Sequence, residues 1–312
     1  MNQRLRLGAR GSLLSRWQAE HVKALLIKKW PNVEIEIKIF QTRGDQVTHI
    51  PLPQIGQKGL FTAELERALL DDEIDFAVHS QKDLPVDDPT GLTTAAVLLR
   101  ESPLDVLVSR FPLKLFELPR HSVIGTSSLR RSAQLLYARP DLKTIDIRGN
   151  VDTRIQKALD PKGPYDGIVI AHAGLVRLQK DDVISEVIDV EYLLPAPAQG
   201  ALAVQCRAQS PVYALLNAVN HFETQLCTLA ERAFLKGLGG GCSLPIAALA
   251  RVQKGQLVLR GAVFQKQGIA KIDLENQVPV NLEDVQISIL SAHQLGFNLA
   301  QKARSLGADK LL

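Results

Sequence analysis

Cysteine, methionine and aromatic residues are scarce in this 312-residue chain: three Cys, one Met, two Trp and 5% aromatics in all. Cys206, Cys227 and Cys242 have no paired spacing, which argues against a disulfide framework or a zinc site, so no metal is expected. No apolar run reaches the roughly 18 residues of a membrane span. Met1-Asn-Gln-Arg-Leu-Arg-Leu7 runs straight into a strand-like pattern without a signal-peptide core, so a cytoplasmic address is expected. The net charge of +4 is small for this length, and with so few aromatics a nucleic-acid binder would lack its stacking platform. Gly125-Thr-Ser-Ser lacks the Gly-Lys-Ser/Thr ending of a phosphate loop, and no paired G-x-G-x-x-G occurs, which excludes the common nucleotide signatures.

What remains is an ordinary globular composition, 46% hydrophobic and 22% charged, long enough for two or three cored domains. Leu5 and Leu7 open a strand ending at Gly8-Ala-Arg-Gly-Ser12. A helix capped by Ser12 follows, with Leu14, Trp17, Val22 and Leu25 on its apolar side and Pro31 closing it. Val33, Ile35, Ile37 and Ile39 alternate with charged residues as a strand. Residues 41–60 read as a long loop of lid type. A helix near 62–72 leads to a strand over 74–79. Strands near 105–109, 122–125, 143–147 and 166–171, with helices between, predict α/β layers with a largely parallel sheet. Leu194-Pro-Ala-Pro-Ala-Gln-Gly200 is a stiff connector before a strand at 201–206. A helix over 222–237, three strands in 246–275 and a helix over 292–306 predict a small α+β unit at the C-terminal end.

Two segments are rich in anion-binding chemistry. Gly125-Thr-Ser-Ser-Leu-Arg-Arg131 and Arg148-Gly-Asn-Val-Asp-Thr-Arg154 each read as a strand running into a helix. Free N–H groups and the positive dipole end at a helix start favour anions, and arginine adds a planar fork that grips a carboxylate with two bonds. With Arg10 and Arg177, these turns predict a ligand carrying several negative groups. Any one of these arginines taken alone reads as an exposed charge; their recurrence at strand ends is the signal. Ser80-Gln-Lys-Asp83 ends a strand where ligands of open α/β sheets gather, and reads equally as a solvated turn. Gly239-Gly-Gly-Cys242 reads locally as a helix stop, or as a thiol with room for a bulky attached group. Cys206 and Cys227 read as small core residues, and His79 and His172 as packed histidines.

Taken in order, several segments make the chain resemble the porphobilinogen deaminase (hydroxymethylbilane synthase) family from Gly8 to about Pro245. They are Gly8-Ala-Arg-Gly-Ser12, Thr42-Arg-Gly-Asp45, Lys58-Gly-Leu-Phe61, Ala77-Val-His-Ser-Gln-Lys-Asp-Leu-Pro85, the two arginine turns, Ala173-Gly-Leu-Val-Arg-Leu178, Pro195-Ala-Pro-Ala-Gln-Gly200 and Gly239-Gly-Gly-Cys242. The resemblance implies an α/β fold of two periplasmic-binding-protein-like lobes plus a small α+β C-terminal domain. The expected divisions are 1–99 with 200–217, then 100–199, then 218–312. It implies a monomeric transferase that joins four porphobilinogen molecules and releases four ammonias. Dipyrromethane, one per chain, is the implied cofactor, held by a thioether to Cys242. Its other implied contacts are Lys82, Asp83, Thr126, Ser127, Ser128, Arg130, Arg131 and Gly149. Arg10, Ser12, Phe61, Arg148, Arg154, Arg177 and Gln199 are the implied substrate contacts, with Phe61 stacking on a pyrrole ring and Lys58 on the lid.

Asp83 is assigned the catalytic role of holding pyrrole N–H groups and stabilising the cation left when ammonia departs. Porphobilinogen is the only implied partner, with neither nucleic acid nor membrane involved. Gln81, Gln205 and Gln54 depart from residues common in relatives, and Gln54 bears on the lid. A non-catalytic two-lobed solute-binding protein is the rival reading, but it gives Gly-Gly-Gly-Cys242 no purpose.

Overall fold

A computed structural model describes residues 3–42, 44, 60–241 and 244–312. Cys242, Lys58 and Gln54, and with them most of the expected lid segment, lie outside the described residues. The chain opens with β1 (Gln3–Arg10), α1 (Leu13–Lys29), β2 (Val33–Phe40), α2 (Ala63–Leu70), β3 (Phe76–Ser80) and β4 (Leu92–Val97). Next come β5 (Asp105–Ser109), β6 (Val123–Gly125), α3 (Leu129–Ala138), β7 (Lys143–Ile145) and α4 (Val151–Leu159). Then follow β8 (Gly167–Ala171), α5 (His172–Leu178), β9 (Glu186–Val187), β10 (Leu202–Arg207) and α6 (Tyr213–Asn217). The chain finishes with α7 (Phe222–Gly237), β11 (Ile246–Gln253), β12 (Gln256–Phe264), β13 (Lys271–Pro279) and α8 (Val285–Ser305).

These strands make two five-stranded sheets, β2-β1-β3-β10-β4 and β7-β6-β8-β5-β9, and a three-stranded sheet, β11-β12-β13. The α/β reading with a C-terminal α+β unit therefore holds. The largely parallel sheet does not. In the first sheet β1 runs parallel to β2 and β3, while β10 runs antiparallel to both β3 and β4. In the second, β6 is parallel to β7 and β8, and β5 is antiparallel to β8 and β9. Strand β10 returns from the second sheet and enters the first reversed, a direction that a hydrophobic pattern cannot encode. Strand β4, Leu92-Thr-Thr-Ala-Ala-Val97, was absent from the expected elements because its short run shows no alternation.

Local signals placed the first helix well. The Ser12 hydroxyl accepts from the Ser15 N–H, and the Trp30 N–H closes the last turn onto the Leu26 carbonyl, next to Pro31. Its buried side is Gln18, Ala19, Val22 and Leu26, so of the expected apolar stripe only Val22 is fully covered. Helix α8 begins at Val285 rather than 292, with the Asp284 carboxylate capping the Ile287 N–H. Its first turns expose Ile287 and Leu290 and so carry no amphipathic signature.

Both connections between the two large sheets meet at one buried carboxylate. Glu231, on α7 and fully buried, accepts two bonds from Arg100 (2.6 and 3.0 Å) and one each from the Ala198 and Ala250 N–H groups. Arg100 also donates to the Gln199 carbonyl. The third sheet packs on α3 through Phe264, Ala262 and Ala247 against Ala133. Arg232 of α7 donates to the carbonyls of Gln81, Leu84, Pro85 and Val86, the turn after β3.

Gly200 ends the Pro-rich connector at φ +89°, where an added Cβ would sit 2.3 Å from the Glu101 carbonyl oxygen. At Gly255, also at positive φ, a Cβ would meet nothing within 4 Å. Gly255→Ala should therefore cost only the backbone strain, ~1 kcal/mol. Gly200→Ala adds a clash with fixed backbone and should lower the melting temperature several degrees further. Equal melting temperatures for the two variants would contradict this packing.

Candidate functional site

A cavity of about 680 Å³ opens between the two large sheets, bordered by α7 and β11. It lies at the carboxyl ends of strands, where loops rather than ladder bonds face the ligand. Strand β1 delivers Arg10, the start of α1 delivers Ser12, and β3 delivers Lys82 and Asp83. The turn from β6 into α3 brings Ser127, Ser128, Arg130 and Arg131, and the turn from β7 into α4 brings Arg148, Gly149 and Arg154. With Lys157, seven cationic side chains line the cavity against two carboxylates, Asp83 and Asp152. Leu235, Leu244 and Ile246 supply apolar wall.

Asp83 ends the single 3₁₀ turn Gln81–Asp83. Its carboxylate forms no hydrogen bond or ion pair among the described residues, and it is exposed to the cavity. Beside it, Lys82 donates to the Gln199 Oε1 at 3.2 Å. Burial and the nearby Arg131 push the Lys82 ammonium down to about 8, with Asp83 and Asp105 acting in the opposite sense.

Arg130 and Arg131 are both buried, and their charges are partly committed. Arg131 binds Asp105 Oδ1 through Nε (3.1 Å) and Nη2 (2.7 Å), while Arg130 Nη1 lies 2.8 Å from Oδ2 and also donates to the Leu194 carbonyl. Burial alone would raise Asp105, but the two guanidiniums hold it well below the usual carboxylate range. Arg154 is freer: Nε donates to the Gly149 carbonyl at 2.8 Å, and no acid among the described residues is paired with its guanidinium. Burial, with Arg131 and Arg148 nearby, lowers it to about 10. Gly149 holds this turn at φ +118°, where a Cβ would strike Thr153 at 2.8 Å.

Several expected contacts have structural bonds instead of an open face. Thr126 is absent from the cavity wall, its hydroxyl accepting from the Ser128 N–H within the turn. The Ser127 hydroxyl bridges the Ile147 carbonyl and N–H, and Ser128 caps α3. The Ser12 hydroxyl caps α1 while lining the cavity. Gln199 is fully buried, its amide shared among Lys82, Arg131, Asp105 and the Pro103 carbonyl. Arg177 donates to the Gly200 carbonyl, lies 5.9 Å from the Trp17 ring, and borders an adjoining cavity of about 140 Å³ that Asp83 and Arg154 also reach. The Phe61 ring carries the Arg10 guanidinium at 4.4 Å, so the stacking surface expected for a pyrrole is shared with that cation. His79 is buried and held neutral, its titration lowered to about 4 by burial and Arg10. His172 bonds Ser102, and neither histidine lines the cavity.

Sequence reasoning missed Asp105, Glu231 and Lys157. An acid opening the otherwise apolar strand Asp105-Val-Leu-Val-Ser109 was a usable signal, because buried acids require cationic partners. The assembled site can hold a polycarboxylate and place one free carboxylate beside it. At 4 Å and an effective dielectric near 20, such a carboxylate stabilises a positive charge by ~4 kcal/mol.

The family model described as porphobilinogen deaminase, dipyromethane cofactor binding domain, matches residues 5–214, and the porphobilinogen deaminase C-terminal domain matches 225–305. The porphobilinogen deaminase of Syntrophomonas wolfei is 50% identical over 268 residues, 86% of this chain and 87% of that protein. Those of Chloroherpeton thalassium and Desulforamulus reducens are 41% and 42% identical, each over 100% of this chain and 98% of the relative. A solved methionine-binding protein, MetQ, is loosely similar (TM-score 0.42, 14% identity, 69% of this chain and 89% of that one), too distant to bear on function. The chain belongs to the porphobilinogen deaminase family.

Because Lys82 loses its proton near pH 8, carboxylate binding should weaken as pH rises through that value. Affinity for a pyrrole dicarboxylate, measured by calorimetry at pH 7 and pH 9, should fall several-fold, roughly the effect of losing one charge-assisted bond. In Lys82→Gln the dependence over this interval should vanish. A flat wild-type profile would show that Lys82 does not meet the ligand as a cation.

Proposed function

We propose, with that family membership as premise, that the chain is a transferase joining four porphobilinogen molecules head to tail. It releases four ammonias and, by hydrolysis, the linear hydroxymethylbilane of tetrapyrrole and haem biosynthesis. The observation that carries the reading is Asp83: a carboxylate beside Lys82 with no bond among the described residues, in a cavity where seven cations outnumber two acids. Each porphobilinogen carries an acetate and a propionate, so a growing chain is a polycarboxylate suited to that ring. Loss of ammonia leaves a cation on the incoming unit, which needs a negative neighbour.

The cavity also suits the family's cofactor. Gly241 and Leu244, on either side of Cys242 and Ser243, line it. Arg130 Nε is buried there without a partner. Dipyrromethane, when attached to Cys242, supplies the anchored pyrrole end onto which units are joined. Around it the residues divide the work. Lys82, Arg130, Arg131, Ser127, Ser128 and the Gly149 turn hold the carboxylates nearest the attachment point, with Thr126 keeping its turn in shape. Arg10, Arg148 and Arg154 take those of the incoming unit, Ser12 and Phe61 bound its space, and Arg177 extends the cationic surface into the smaller cavity. Gln199 orients Lys82. Asp83 accepts from pyrrole N–H groups and stabilises the cation. A ~4 kcal/mol effect felt in the transition state corresponds to ~3 decades in rate.

The proposed domains are 1–99 with 200–217, then 100–199, then 218–312. Their support is that each encloses one sheet, the third with a core shared by α7 and α8. The reading carries with it a cytoplasmic monomer whose partner is the small molecule porphobilinogen, with no nucleic acid or membrane involved. Among the described residues, no helix is long and apolar enough to cross a membrane.

Intact mass tests the reading. Purified protein should carry a two-ring adduct that Cys242→Ser lacks, and incubation with porphobilinogen should add a ladder of single-pyrrole steps. An unmodified mass in protein that still closes on pyrrole acids would favour a solute-binding protein. Asp83→Asn should keep the melting temperature but slow ammonia release by ~10²–10⁴-fold, and near-normal turnover would remove Asp83 from the mechanism.

A further inference from the structure

Asp105 lines neither cavity, yet Arg130, Arg131 and Gln199 of the cavity wall converge on it. It opens β5 and is fully buried. Its Oδ1 accepts from Arg131 Nε and Nη2 and from Gln199 Nε2 at 2.9 Å, and its Oδ2 faces Arg130 Nη1 at 2.8 Å. The other end of the Gln199 amide accepts from Lys82, on the opposite sheet. One carboxylate thus reaches three cations, two directly and the third through an amide. The bonds leave Arg131 Nη1 and Arg130 Nε and Nη2 without a partner among the described residues, and both guanidiniums line the cavity.

Two adjacent guanidiniums and an ammonium in a desolvated wall repel one another strongly. A surface site would dissipate that in water. Here a single acid behind the wall reduces three charges to a net of two, the number carried by the acetate and propionate of one pyrrole. An uncharged anchor would leave the forks to splay, and a second acid behind the wall would halve the net charge facing the ligand.

We propose that Asp105 is the positioning residue of this wall, binding Arg130, Arg131 and Gln199 together so that they and Lys82 form a doubly cationic grip for the two carboxylates of one pyrrole unit. This rests on the polymerisation reading for the identity of the ligand. The grip itself has a signature that needs no turnover. The charged groups acting on Lys82 are Arg131 and Arg130 from α3, Asp83 from its own turn and Asp105 from β5. Removing Asp105 must make the lysine lose its proton at lower pH, and removing Arg130 must do the reverse.

The experiment is competitive acetylation of Lys82 with acetic anhydride across pH, read by peptide mass, in the purified holoenzyme. The wild-type midpoint is the reference. In Asp105→Asn it should move down, making labelling at pH 7 ~3–10-fold faster. In Asp105→Glu it should stay near the wild-type value. In Arg130→Gln it should move up. Intact mass of purified Asp105→Asn should show a smaller share of protein carrying the two-ring adduct, because this wall holds the carboxylates nearest Cys242. If Asp105→Asn lowers the melting temperature but leaves the Lys82 midpoint and the adduct share unchanged, Asp105 is a buried structural ion pair and the proposal fails. Should that variant not fold, Arg130→Gln decides, since an unmoved Lys82 midpoint there overturns the proposal equally. Wild-type protein that makes no hydroxymethylbilane would defeat the proposed function while leaving the labelling result intact.

Discussion

Mutual repulsion among cations in a water-poor cleft is the constraint that shapes this molecule. A ligand bearing many carboxylates calls for many positive groups in one place, and burial makes those groups costly to one another and to keep charged. Lys82, Arg154 and Arg177 are all held below their ordinary values by burial. The architecture limits the penalty by keeping carboxylates behind the wall. Asp105 stands under Arg130 and Arg131, and Glu231 stands under Arg100 where the two large sheets are joined. Both acids are fully buried and line neither cavity, so neither competes for the ligand.

That arrangement separates two uses of negative charge. Buried acids neutralise and position, while Asp83, exposed at the end of β3, forms no bond among the described residues. The separation has a mechanical side. Arg232 of α7 holds the carbonyls of the turn that carries Asp83, and Glu231, its neighbour on the same helix, holds both crossings between the sheets. The helix that leads toward Cys242 is thereby tied to the turn that carries Asp83 and to both segments that connect the two large sheets. Parting the two sheets would have to break these bonds, and a buried ion pair gives up several kcal/mol when broken.

The arginine turns show what a sequence can and cannot disclose about a site. Gly125–Arg131 and Arg148–Arg154 announced anion binding through a local pattern, and both turns do line the cavity. The pattern did not distinguish Arg154, whose guanidinium has no acid partner among the described residues, from Arg130 and Arg131, which share Asp105. Nor did it show that the Thr126 and Gln199 side chains are spent on the scaffold. Apart from Thr126, which bonds within its own turn, those differences arise from groups more than 20 residues away along the chain, brought close only by the sheets.

Local chemistry thus determined the strands, caps and turns, the scarcity of stacking aromatics, and the set of cationic residues, because each depends on neighbours within a few positions. Ser12 capping α1, Gly200 ending the connector and the arginines at helix starts are of this kind. Tertiary structure alone decided the reversed entry of β10, the burial of Asp105 beneath two guanidiniums, and the freedom of Asp83. Each of these is a balance of desolvation against long-range pairing, and no stretch of sequence contains both sides of that balance.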